Sequence, residues 1–286
     1  MSRIDVLKTY KIFIGGKFLR TESGRYFHMK NAKGGVLANM CLSSIKDFRN
    51  AVVAARKAQE EWVNATALNK GQILYRIAEM LEGRKLQFIE ALIQTGVTQS
   101  TAIKEVSLSI DRLIYYAGWS DKFQQIFSTV NPVSSNHFNF STLEPTGVVS
   151  IISPNENPLL GLISLLAPTI VGGNTCVILA SSINPFVAIS MAEVLNTSDI
   201  PAGVVNILTG DREELLSHFA SHKEVNAIIY CGDNLKEIKV VEEMAVENLK
   251  RVSVYRRKNW EEEKSQSPYF IEKCQEIKTI WHPTEV

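Results

Sequence analysis

Gly147-Val148-Val149-Ser150-Ile151-Ile152-Ser153-Pro154-Asn155-Glu156-Asn157-Pro158, running on through residues 158–175 (PLLGLISLLAPTIVGGNT), decides the fold. The first part is uncharged and rich in β-branched residues, as a strand covered on both faces must be. The Pro/Asn turn stops it, an apolar helix follows, and Gly172-Gly173 closes that helix. A second apolar strand is expected from Thr175 to Ala180. Strand, helix and strand in this order form a βαβ unit, which places ligands at the carboxyl ends of its strands. The turn from Pro154 to Pro158 is therefore the first place to look for chemistry.

Downstream, strands and helices alternate. Helices are expected at Pro185 to Leu195, Glu213 to Ala220 and Asn234 to Met244, and strands at Val204 to Leu208, Val225 to Tyr230 and Val252 to Tyr255. This is the pattern of a doubly wound α/β sheet. Upstream, Tyr10 to Phe18 reads as a hairpin around Gly15-Gly16, and Tyr26 to Met29 and Val36 to Leu42 as extended segments. Ser43-Ser44 can cap a helix running from about Ile45 to Val63. Further helices are expected at Lys70 to Leu81, Leu86 to Gln94 and Ser100 to Phe127, the last with Ile103, Val106, Ile110, Leu113, Ile114 and Ala117 as its core stripe. Residues 128–141 break the helical pattern, and His137 to Ser141 alternates as an exposed hairpin strand does. Arg256 to Ser267 reads as a solvated linker, and Cys274 to Trp281 as a last alternating strand.

The 286 residues carry 31 basic and 30 acidic side chains, a net charge of +1. That balance gives no general affinity for nucleic acid or anionic membrane. No apolar run reaches the length of a membrane span, and Met1 to Asp5 leads into polar sequence rather than a signal-peptide core. A cytoplasmic location is expected. Cys41, Cys176, Cys231 and Cys274 are far apart and read as buried reduced thiols. His218 and His222 share a helix face, but no acid follows the first, so no metal site is expected.

Several segments resemble the aldehyde dehydrogenase superfamily in the correct order: residues 14–18 (IGGKF), 51–62 (AVVAARKAQEEW), 144–149 (EPTGVV), 158–175, 201–210 (PAGVVNILTG) and 224–232 (EVNAIIYCG). The resemblance implies a Rossmann-like fold: a doubly wound parallel sheet with N-terminal helices and a β oligomerisation arm. It assigns 1–127 plus 147–255 to a degenerate NAD-binding domain, and 128–146 plus 272–286 to the arm and its partner strand. About twenty residues stand between 255 and 275 where the family inserts its catalytic domain, too few for a domain. Within the superfamily the chain is most similar to the truncated second unit of the sixteenth aldehyde dehydrogenase family.

The resemblance also implies that the family's chemistry is replaced position by position. Glu156 stands at the Asn that donates to the oxyanion, and a carboxylate has no donor. Leu179 and Ser182 stand at the Lys and Glu that hold the adenosine ribose. Asp233 closes the turn Tyr230-Cys231-Gly232-Asp233, where a phosphate would meet a helix N-terminus. Asp211 to Glu214 replace a Gly-rich loop with more negative charge, and Val254 stands at the general base. No catalytic or cofactor-binding residue is therefore assigned. No cofactor is expected, NAD(P) being the family's own. Three functions stay open: a structural or assembly subunit pairing with itself or a full-length dehydrogenase; a non-catalytic component of an NAD(P)-dependent aldehyde-oxidising complex; and a small-ligand-binding protein using the strand-end cleft. Arg256-Arg257-Lys258 could meet an anion, although a solvated linker is the preferred reading of that stretch.

Overall fold

The computed structural model describes residues 6–284. The ends of the expected segments 1–127 and 272–286 lie outside them. The chain opens with β1 (Thr9–Tyr10), β2 (Ile12–Ile14), β3 (Lys17–Leu19), β4 (Tyr26–Lys30) and β5 (Val36–Cys41), and continues into α1 (Ile45–Asn64), α2 (Ala67–Gly83), α3 (Lys85–Gln94), α4 (Gln99–Ala117) and α5 (Phe123–Phe127). An arm of β6 (Thr129–Asn131) and β7 (His137–Pro145) leads to β8 (Val148–Ile152), α6 (Leu160–Val171), β9 (Thr175–Leu179), α7 (Pro185–Leu195), β10 (Val205–Leu208), α8 (Arg212–Ser221), β11 (Ala227–Cys231), α9 (Leu235–Ala245) and β12 (Arg251–Tyr255). A short α10 (Tyr269–Glu272) precedes β13 (Gln275–Pro283).

The main sheet has the order β12-β11-β8-β9-β10-β2-β3. Its five strands from β12 to β10 run parallel, and the hairpin β2–β3 adds an antiparallel edge. Gly15 and Gly16 both have positive φ, +58° and +73°, as the two-residue turn between β2 and β3 requires. Successive residues of a parallel strand face opposite sides, so both faces need covering. Val149, Ile151, Cys176 and Ile178 join one core cluster with α2, α4, α6 and α7. Val148, Ile152, Val177 and Leu179 join the other, with α1, α8 and α9. Every residue of α6 is buried, which explains why its sequence has no polar face. At α1, Ser44 and Asp47 form a capping box: the Asp47 N–H donates to Ser44 Oγ (3.3 Å) and the Ser44 N–H to Asp47 Oδ2 (2.9 Å).

Three expectations need correction. The helix expected over 100–127 ends at Ala117; a turn at Gly118 to Lys122 separates α4 from α5. On α4, Ile103 and Ile114 are exposed, and the buried face carries Glu105, Ser109 and Arg112 beside Val106, Ile110 and Leu113. Val106, Ile110, Leu113 and Ala117 of the expected stripe are buried, and apolar spacing alone misplaced Ile103 and Ile114 because polar residues occupy part of the core face. The Arg256 to Ser267 stretch is not a solvated linker. Trp260 is 1 % exposed and Ser265 fully buried, so this strap packs back onto α4 and α6.

The last strand, β13, pairs antiparallel with β7 along nine residues, from Gln275 opposite Pro145 to Pro283 opposite His137. With β6 on the other side of β7 it forms a separate three-stranded sheet. Val130, Phe138 and Phe140 share one face of that sheet by register, and Val130 and Phe138 are exposed. Among the described residues, no helix is long and apolar enough to cross a membrane.

Candidate functional site

The strand ends of β8, β11 and β12 open into a cleft of about 610 Å³. Its walls come from the turn after β8, the first residue of α8, the β11–α9 turn and the strap after β12. The turn after β8 is shaped by packing. A Cβ on Gly161 would collide with Pro154 and lie 3.3 Å from the Trp260 indole nitrogen. Only glycine lets the turn and the strap close on the start of α6. Asn155 Oδ1 accepts from Ser181 Oγ (3.0 Å) and the Ser182 N–H (3.1 Å), tying the ends of β8 and β9 together.

Three helices begin around this cleft, and each start carries a carboxylate of the protein. At α6 no side chain of the turn caps the helix. Glu105, reaching across from α4, accepts from the Leu159 N–H (2.9 Å) and the Leu160 N–H (3.3 Å). Burial pushes the Glu105 carboxyl up from its ordinary value, and those two N–H groups pull it back. At α8, Asp211 Oδ1 accepts from the Glu213 N–H at 2.9 Å. At α9, Asn234 caps the helix and Glu237 sits in its first turn, accepting from Tyr230 Oη at 2.8 Å and from Asn234 Nδ2 at 2.9 Å. Asp233 stands just before that cap.

The residues singled out in the sequence fall in different places. Glu156 is exposed on the cleft wall. Asp233 also lines the cleft, where Arg257 Nε lies 3.5 Å away and Arg256 Nε 3.8 Å. Two of the three cations thus stand near an acid, although the Arg257 side chain stays 83 % exposed. Leu179 is 1 % exposed within the core, and Ser182 is exposed and bonded to Asn155. Val254 is half-buried on β12, against the core on the α8 and α9 side. The structure brings Glu156 and Asp233 to one cleft and leaves Leu179, Ser182 and Val254 out of its lining.

Sequence reading missed Arg212. Within a stretch read as acidic, its guanidinium donates to the Ser153 carbonyl (2.9 Å) and stands 3.7 Å from Glu237. It lies 5.8 Å over the Tyr230 ring, so side chains fill the corner between β8 and β11. A Cβ on Gly232 would meet Tyr230 Oη at 2.9 Å, which leaves that turn no room for a larger residue. Cys231 lines the cleft, but burial pushes its thiol up, which disfavours the thiolate. Glu105 and Arg112 were missed as well. Their signal was two charges seven residues apart on the apolar face of one helix.

The family profile described as "Aldehyde dehydrogenase family" matches residues 18–255. The chain belongs to the aldehyde dehydrogenase family. Cytosolic 10-formyltetrahydrofolate dehydrogenase from Mus musculus is 32 % identical over 261 residues, covering 89 % of this chain and 29 % of that protein. DhaS of Bacillus subtilis is 32 % identical over 252 residues, covering 86 % of this chain and 50 % of DhaS. The chain thus spans half or less of the length of these relatives. Among solved structures, the NAD+ complex of aldehyde dehydrogenase from Bacillus cereus superposes with a TM-score of 0.83 at 26 % identity, covering 87 % of this chain and 51 % of that one. In this aldehyde dehydrogenase family chain the Rossmann-like sheet is retained.

Proposed function

We propose that this chain is a non-catalytic aldehyde dehydrogenase homologue that acts as a structural or assembly subunit. The observation that carries the reading is the occupation of the helix N-termini at the cleft. A dinucleotide's pyrophosphate binds where backbone N–H groups and the positive end of a helix dipole are free. Here Glu105 and Asp211 accept from the first N–H groups of α6 and α8, Asn234 caps α9 with Glu237 in its first turn, and Asp233 lines the cleft just before that cap. Arg212 and Tyr230 fill the corner between β8 and β11. The side chains present do not suit NAD(P), and Leu179 and Ser182 supply no replacement for the ribose contacts that the family resemblance expects.

What remains presentable is the arm. The β7–β13 pairing gives it a nine-residue ladder, and Val130 and Phe138 leave an apolar face on it open. Open sheet faces and edges favour association. The partner in this reading is a second copy or a full-length aldehyde dehydrogenase. A cytoplasmic setting agrees with four buried thiols.

The test is calorimetry of the purified chain with NAD and NADP, with mass in solution measured on the same sample. No binding heat, together with a dimer or larger species that Phe138→Glu reduces to monomer, is the expected result. Saturable cofactor binding would overturn the reading and favour a component of an aldehyde-oxidising complex. A stable monomer, alone and with full-length relatives, would overturn the assembly role.

A further inference from the structure

The last strand leaves one edge of the arm open. β13 stands at the end of the order β13-β7-β6. The Thr284 N–H donates to the Asn136 carbonyl, and the Thr146 N–H donates to the Cys274 carbonyl. Between these two bonds the β7–β13 register runs without a shift. In an antiparallel pair, alternate residues turn both N–H and C=O toward the neighbour, so the even-numbered residues of β13 bond to β7. Ile277, Thr279 and Trp281 turn theirs outward. Their side chains are open as well, Ile277 being 67 % and Trp281 56 % exposed. A lysine usually guards such an edge, but Lys278 is held by Glu144 of β7 at 2.6 Å.

We propose that β13 pairs with β13 of a second copy, antiparallel and centred on Thr279, so that two arms form one sheet. The inference rests on the assembly reading and deepens it by naming the edge, the register and the partner. In this register Ile277 stands opposite Trp281 of the second copy, and Trp281 opposite Ile277 of the second copy. Thr279 meets its own counterpart. Each outward N–H and C=O from Ile277 to Trp281 then has a partner. Pro283, which has no N–H, falls where the ladder stops. An aromatic residue directly opposite a β-branched one is a favourable cross-strand pair, and two-fold symmetry makes it twice. On the other face Glu276 stands opposite His282 and Lys278 opposite Ile280, so no like charges meet.

Neighbouring registers are poorer. Opposed side chains share a face only when the axis relates a residue to its own copy, so the centre moves in whole residues. Centring on Lys278 sets two ammonium groups against each other. Centring on Ile280 sets Lys278 against His282 and leaves the Ile277 carbonyl without a donor, because Pro283 stands opposite it. Centring on Ile277 needs Gln275 opposite Thr279, and Gln275 is buried. The opposite edge of this sheet, β6, has only three residues. A sequence that complements itself about Thr279 fits a second copy of the chain rather than an unlike partner.

The experiment puts a cysteine at position 279 and treats the purified chain with copper phenanthroline, the four native thiols being buried. Residues opposed in a hydrogen-bonded pair have Cα atoms about 5.5 Å apart, within reach of a disulfide. Thr279→Cys should give a disulfide-linked dimer on a non-reducing gel severalfold faster than Lys278→Cys or Ile280→Cys. Ile277→Cys and Trp281→Cys chains should link to each other when mixed and not when alone. Thr279→Pro removes an outward N–H and no backbone bond to β7, so it should keep the far-UV spectrum of the unaltered chain and sediment as a monomer. A dimer that survives Thr279→Pro, or linking at 279 no faster than at 278, would overturn this pairing and leave the assembly reading standing. So would a chain that associates only with a full-length relative. A chain that stays monomeric both alone and with such relatives would overturn both.

Discussion

The Arg112 guanidinium donates to the Trp260 carbonyl at 3.0 Å across 148 residues of sequence. It also reaches Ser164 Oγ at 2.5 Å and the Ser265 carbonyl at 2.6 Å. One buried arginine on α4 therefore joins α6 to the strap that follows β12. The strap is held by geometry that its own polar sequence does not advertise.

Arg112→Met keeps most of the volume and removes these bonds. Hydrogen bonds to a charged group are each worth roughly 1.5–3 kcal/mol, and their orphaned carbonyl partners add a cost. We expect a loss of about 2–4 kcal/mol and a melting temperature lower by several degrees. Trypsin should then cut faster at Lys258 and Lys264. A strap cut at the wild-type rate would contradict this role for Arg112.

Glu105 predicts a pH dependence. Its carboxyl is raised in the folded chain, so the folded state holds the proton more tightly than the unfolded one. Its contribution to stability is complete below the ordinary carboxylate value of 4.5 and declines as pH rises through the folded value. Glu105→Gln, which still accepts from Leu159 and Leu160, should lose that part of the decline and equal or exceed wild type at neutral pH. Glu105→Ala leaves both N–H groups buried and should cost about 1–3 kcal/mol. Urea denaturation at pH 4.5, 6 and 7.5 distinguishes the two variants.

Lys250 carries the opposite sign. Burial pushes it down to about 8, although its ammonium donates to the His222 carbonyl at 2.8 Å. The unfolded chain holds this proton more tightly, so stability rises with pH from about 8 to the ordinary lysine value of 10.5. The unfolding free energy should climb over that range by an amount on the order of 1–3 kcal/mol, read from denaturation curves. Lys250→Met should flatten that climb, and an unchanged slope in the variant would assign it to other groups.

Leu179 shows why simple reversion of the cofactor positions should fail. It is 1 % exposed and packed in the core between the sheet and α1. Leu179→Lys would bury an unpaired charge, with an expected cost of several kcal/mol, whereas Leu179→Met should lose less than about 1.5 kcal/mol. Thermal melts of both decide this, and a lysine variant as stable as the methionine one would show that the site opens to solvent.

Sequence reading reached the sheet through β8, α6 and β9, because an apolar run cut by Pro154 and closed by Gly172-Gly173 has few ways to fold. It reached the capped start of α1 and the hairpin at Gly15-Gly16 for the same reason: turn and cap chemistry is local. It misplaced the end of the 100–127 helix and took the strap for solvated chain. Glu105 and Arg112 broke the apolar stripe of α4, and the polarity of Arg256 to Ser267 hid the single Trp260 that anchors it. In the cleft, the sequence named Glu156 and Asp233 but gave Arg212 no role, since nothing near it in the chain announces that Ser153 and Glu237 converge there.

The amino-acid sequence by itself determined the order of strands and helices, the apolar α6 and the family to which the chain belongs. The first two follow from periodicity and turn residues a few positions apart, the family from the resemblance of whole segments in their order. Only the tertiary structure decided which charges are buried and what they face. Glu105 meets the start of α6 more than fifty residues away, and Arg112 meets the strap about 150 residues away. A charge is stabilised by whatever surrounds it in space, and those neighbours are set by packing rather than by adjacency in the chain.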